Sequence, residues 1–147
     1  MGIKNSIILI SIVVIACYAD VKSIITYEDI CKTIKAKQLE VKSLKKNNDT
    51  EDEVQAEECK NWQLNASQVF EILVNSKEVT AEEQNIKYYN LPCEILVNLE
   101  YKKNLYKYII NASGTSVFYI TATNVIYLIC TEKCKKIFNL YMGEVED

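Results

Sequence analysis

From Cys93 onward the chain repeats with a period of two, and this pattern narrows what it can fold into more than any other. Cys93, Ile95, Val97, Leu99 and Tyr101 alternate with Glu94, Leu96, Asn98 and Glu100. Successive side chains of a strand point to opposite faces, so this spacing gives one apolar face and one mostly polar face. Lys102-Lys103-Asn104 predicts a turn, and the chain then returns through Leu105 to Ala112 with Tyr106, Tyr108 and Ile110 on one face. Ser113-Gly114 ends that run. Two further strands, about Ser116 to Thr121 and Asn124 to Cys130, are joined by a tight turn near Ala122. The expectation is an antiparallel meander of about four strands, with Ile137 to Met142 adding an edge or packing across the sheet.

Upstream the period lengthens. Thr26 reads as an N-cap, with Glu28 and Asp29 in a first turn where the helix dipole favours acids. Ile30, Ile34, Val41 and Leu44 recur at near-helical intervals, while Lys32, Lys35, Lys37, Lys42, Lys45 and Lys46 fill the other faces. This predicts one helix to about Lys46, its lysines a solvated face. Asn47 to Glu58 is acidic and nearly free of large apolar residues, which reads as a linker. A helix is expected from Ser67, as N-cap, to Ser76, and Thr80-Ala81-Glu82-Glu83 has the form of a capping box. Pro92 then disfavours helix at the residue before it. The fold class expected is α+β: an N-terminal helical stalk, then a small disulfide-linked domain with helices packed on an antiparallel sheet. The divisions are 1–16 as signal peptide, 17–58 as anchor, stalk and acidic linker, and 59–147 as the globular domain.

The signal reading rests on Lys4, the apolar run from Ile7 to Ile15, and Ala16-Cys17. A spanning helix needs roughly 20 apolar residues, and the run stops short before Asp20 and Lys22. Val14-Ile15-Ala16-Cys17 resembles the lipobox of bacterial lipoproteins, which implies lipidation of Cys17 and a membrane anchor without a spanning helix. Cys17-Tyr18-Ala19 also has the small residues of an ordinary signal-peptidase site, which would leave a soluble periplasmic or secreted protein.

Export decides how the cysteines are read. Cys31, Cys59, Cys93, Cys130 and Cys134 remain after Cys17, and an oxidising compartment favours disulfides in so small a domain. The odd thiol is assigned to Cys31, which could stay free or join a second chain in a dimer. The other four allow three pairings. The one preferred closes Cys130-Thr131-Glu132-Lys133-Cys134 and leaves Cys59 with Cys93. Their spacing does not match paired zinc-ribbon cysteines, so no metal is assigned.

The chain has no histidine, and all its basic residues are lysine. That removes the commonest general base and metal ligand, and the bidentate fork for phosphate. With a formal net charge of -3 and no basic stripe, nucleic-acid binding has no footprint. Neither a phosphate loop nor a nucleophile motif is present, so the chain reads as a non-enzyme without a cofactor. Asn48, Asn65 and Asn111 begin N-x-S/T triplets, read as structural positions in a bacterial protein. Ten tyrosines and Trp62 suit a protein interface, and Trp62, Tyr88 and Tyr89 are the residues assigned to a partner surface.

Cys59-x2-Trp62, Leu91-Pro92-Cys93, Ile110-Asn111-Ala112 and the Cys130/Cys134 pair together resemble a group of small, functionally uncharacterised exported proteins of Gram-negative bacteria. The resemblance implies a disulfide-bearing envelope domain. The function expected is protein binding in the cell envelope, as an immunity or inhibitor protein, with a purely structural envelope lipoprotein as the alternative.

Overall fold

The alternation folds as the sequence requires, but the sheet is wider than the meander. A computed structural model describes residues 24–48 and 53–138. Cys17 and residues 139–142 lie outside the described residues. In chain order the elements are α1 (Tyr27–Lys35), β1 (Glu40–Asn48), α2 (Glu53–Asn61), α3 (Ala66–Asn75), β2 (Ser76–Val79), α4 (Ala81–Lys87), β3 (Cys93–Tyr101), β4 (Asn104–Asn111), β5 (Thr115–Tyr119) and β6 (Val125–Cys130), then a 3-10 turn at Lys135–Ile137. The fold is α+β with one antiparallel sheet in the order β1-β3-β4-β5-β6-β2. Strands β3 to β6 form the expected meander. Two strands from the N-terminal half extend it, one on each edge, so the sheet has six strands and not about four.

The helical stalk to Lys46 is therefore corrected. The helix begins as expected, with Thr26 Oγ1 accepting from Asp29 N (3.1 Å) and Asp29 Oδ2 accepting from Thr26 N (3.2 Å). It stops at Lys35. Lys37 N donates to Ile34 O and Gln38 N to Thr33 O, a Schellman closure that places Lys37 at φ 53. Glu40–Asn48 then pairs with β3, Val41 opposite Leu99 and Leu44 opposite Val97. Spacings of three and four cannot distinguish a helix face from a strand with a bulge, and the register shifts between Val41 and Ser43. The linker is corrected likewise, because α2 occupies Glu53–Asn61 and the expected boundary at 58/59 falls inside it. For α3 the N-cap is Asn65 and not Ser67. Its Oδ1 accepts from Gln68 N and its N donates to Gln68 Oε1, both at 2.9 Å.

Opposed residues of a ladder share a face. Ile95, Val97 and Leu99 of β3 therefore line up with Tyr106, Tyr108 and Ile110 of β4, Phe118 of β5, and Ile126 and Leu128 of β6. All are buried, and they form one core with Ile30 of α1, Trp62, and Val69, Ile72 and Leu73 of α3. Burying each such side chain contributes about 1.5–3 kcal/mol, which is why this face of the sheet carries the helices. The Tyr27 hydroxyl lies 2.6 Å from the carbonyl oxygens of Leu73 and of Ser76, tying α1 to the α3–β2 junction. At the far edge, Gln84 of α4 is buried and donates from Nε2 to Ser116 O (3.0 Å) and Leu128 O (2.9 Å).

Two disulfides fasten the ends of the core. Cys59 of α2 joins Cys93 at the start of β3, with Cα atoms 5.5 Å apart, and Cys130 joins Cys134, with Cα atoms 5.8 Å apart. All four cysteines are buried. Disulfides of this kind mark an oxidising, exported location. No helix among the described residues is long and apolar enough to cross a membrane.

Candidate functional site

The second face of the sheet differs from the first. Its positions on β3 are Glu94, Leu96, Asn98 and Glu100, on β4 Leu105, Lys107 and Ile109, on β5 Thr115, Val117 and Tyr119, and on β6 Val125, Tyr127 and Ile129, of which Thr115 and Ile129 are buried. The register lays Leu96, Ile109, Val117 and Tyr127 side by side in one row across four strands. Each is half-buried, where the opposing face is closed. Leu105, beside Lys107 on the same strand, is 69% exposed. A two-stranded hairpin would not hold these residues in plane; here the packed face does so from behind.

A shallow hollow of about 200 Å³ opens in this face, with Leu96 and Ile109 as floor and Lys45, Asn47, Glu94 and Lys107 around it. Lys45 comes from β1, opposite Leu96, and is in place only because residues 40–48 form an edge strand. Lys107 lies with its Nζ 5.2 Å from the centre of the Tyr119 ring, a cation–π contact that keeps its stem over the sheet. The two lysines differ from their neighbour Lys42. That residue bonds Glu40 (2.9 Å) and Glu100 (3.3 Å), and these carboxylates raise its pKa. Lys46, on the core side opposite Ile95, donates instead to Lys60 O at 2.7 Å, and partial burial lowers its pKa. Neither Lys45 nor Lys107 has a carboxylate partner among the described residues.

The residues assigned to a partner surface are distributed differently. Trp62 is 1% exposed and stacks on Phe138 with ring centroids 6.2 Å apart, so its assignment to a surface is corrected. A large ring three residues after Cys59 is drawn inward with the disulfide. Its Nε1 meets no acceptor among the described residues. Tyr88, the C-cap of α4, is half-buried, and Tyr89 is 48% exposed. The tyrosines on the open face, Tyr119 and Tyr127, were part of the sequence count of aromatics, but their shared face emerges only from the register.

The remaining residues singled out in the sequence have structural places. Asn111 Oδ1 accepts from Leu91 N (2.9 Å) and Ser113 N (3.0 Å), while its Nδ2 donates to Leu91 O (2.7 Å). Ala112 N donates to Cys93 O at 3.0 Å, so the Leu91-Pro92-Cys93 and Ile110-Asn111-Ala112 segments are two halves of one hydrogen-bonded corner. Cys31 is half-buried on α1, makes no disulfide among the described residues, and adjoins Tyr27, whose pKa is raised mainly by burial and further by that thiol. No group of three or more potential ligands from Cys, Asp and Glu gathers among the described residues. No protein-family model, no curated protein and no solved structure matches this chain.

Proposed function

We propose that this chain is an exported lipoprotein of the bacterial cell envelope, anchored through acyl chains on Cys17, whose α+β body binds another protein through the open face of its sheet. Blocking an incoming toxin or hydrolase, as an immunity or inhibitor protein does, is the role that suits a small rigid domain without catalytic groups. The lipobox-like Val14-Ile15-Ala16-Cys17 and the two disulfides support the location. The observation that carries the activity is the row Leu96, Ile109, Val117 and Tyr127, held in plane with an exposed Leu105 beside it. Aromatic and aliphatic side chains on a rigid support give contact area at little entropic cost.

Photo-cross-linking in the envelope of the expressing cell tests the reading. A benzophenone amino acid at Leu105 or Tyr127 should give a discrete adduct with one protein, and the same group at Lys35 on α1 should not. Equal adducts from both sides, or none from the sheet, would count against it. Mass spectrometry of the mature N-terminus tests the anchor: a diacylated Cys17 is expected, and an unmodified chain starting at Tyr18 or beyond would remove it.

A further inference from the structure

The open face has a charge pattern that selects among protein partners. On the side where β1 meets β3 and β4, Leu96, Ile109 and the exposed Leu105 supply the apolar contact. Lys45 continues the Leu96–Ile109 row onto β1, and Lys107, opposite Asn98, lies on β4 between Ile109 and Leu105. Their ammonium groups have no carboxylate within the described residues, unlike Lys42, Lys87, Lys135 and Lys136, each of which bonds a glutamate. With strands about 4.8 Å apart and one pleat of offset along β3, their Cα atoms are separated by about 12 Å. A helix of about 1.5 Å rise per residue presents residues i and i+7 at nearly that spacing, on the same face.

We infer that the occupant of this hollow is an amphipathic segment of another protein whose apolar stripe is flanked by carboxylates. This rests on the protein-binding reading above and specifies the partner's chemistry. The stripe covers Leu96, Ile109 and Leu105, and the two carboxylates reach Lys45 and Lys107. Glu94, on the rim of the same hollow, sets the orientation: it repels a third carboxylate placed at the Asn47 end, so the acidic flanks lie toward Lys45 and Lys107. A segment with lysines in the acidic positions meets two like charges that no carboxylate among the described residues neutralises, and is rejected.

The test uses two acetylated, amidated 14-residue peptides with one leucine stripe, flanked in one by glutamates seven residues apart and in the other by lysines. Each is titrated into the 15N-labelled, oxidised full chain. The acidic peptide should saturably shift the amides of Lys45, Leu96, Lys107 and Ile109. Its affinity should fall by about 10-fold or more in K45E/K107E, equivalent to about 1.4 kcal/mol. The lysine peptide should bind that double variant better than it binds the natural chain. Both lysines are exposed, and an unchanged amide spectrum elsewhere verifies that the variant is folded. Equal binding of both peptides to the same amides would overturn the charge selection while leaving the face as a binding surface. Shifts confined to other regions, or none with either peptide, would overturn both. Concentration-dependent shifts of these amides without peptide, with a dimer in sedimentation, would make a second copy the occupant and refute the acidic partner.

Discussion

The two disulfides offer the sharpest quantitative test, because they differ in one variable. Cys59–Cys93 spans a sequence separation of 34 and Cys130–Cys134 a separation of 4, while all four sulfurs are buried in the same core. Packing losses on substitution by alanine are therefore similar. What differs is the freedom that each bond removes from the unfolded chain. In the loop-entropy treatment the longer loop contributes about 3.8 kcal/mol at 25 °C and the shorter about 1.9 kcal/mol. C59A/C93A should accordingly lose about 2 kcal/mol more stability than C130A/C134A. Trp62, the single tryptophan, is buried against Phe138 and reports unfolding by its fluorescence. With a urea m-value of about 1.5 kcal/mol/M, the midpoints should fall by about 2.5 M and about 1.3 M respectively. The m-value should also rise more for C59A/C93A, whose unfolded state expands further. Equal losses from the two pairs, or a larger loss from C130A/C134A, would refute the assignment of their effect to unfolded-chain entropy.

Three further outcomes follow from particular residues. Asn111→Ala removes three hydrogen bonds of the corner that carries Leu91 and Ser113, and should cost about 2–4 kcal/mol in the same urea assay. Lys37, Lys102 and Lys103 all lie at positive φ, so Lys37→Gly should stabilise by about 0.5–1 kcal/mol, and Lys102→Asn with Lys103→Gly should raise Tm. Burial holds the Tyr108 hydroxyl protonated above the usual tyrosine range. An unfolded tyrosine ionises near pH 10, so the stability from Tyr108 is whole below about pH 10 and is lost as pH rises beyond it, by about 1.4 kcal/mol per pH unit. Unfolding midpoints measured from pH 9 to 11 should show that fall, and Tyr108→Phe should lessen it, Tyr27 supplying the remainder.

The meander was legible because alternation is a local signal. Cys93–Tyr101 was bounded from its own pattern, and the strands after it followed from turn residues. The edge strands were not. β1 reads EVKSLKKNN, with lysines that keep an edge soluble and a bulge that breaks the alternation, so its apolar residues imitate a helix. β2 is four residues long and directly continues α3, leaving no punctuation between them. The Lys102–Lys103 hairpin carries the positive φ values of a type I′ turn without the usual Asn-Gly, which shows only in the backbone. The open face was hidden for a related reason. Leu96 alone reads as an exception in a polar row, and only pairing with Ile109, Val117 and Tyr127 turns it into a surface.

The placing of β1 and β2 on opposite edges sets a timetable. A chain emerging N-terminus first delivers both strands before any of their partners: Val41 waits for Leu99, and Ser76 waits for Cys130. Until the meander arrives, neither strand has a ladder to join, and Cys59 has only Cys31 as an earlier thiol beyond Cys17 with which to react wrongly. Closure of such long-range pairings is slow, because the chain entropy is lost before the contacts form. The last strand to appear joins β5 to β2 and so completes that edge of the sheet, and a truncation that removes β6 leaves β2 without its ladder as well. In such a fold the C-terminal half is the template, and the N-terminal half must remain uncommitted until it arrives.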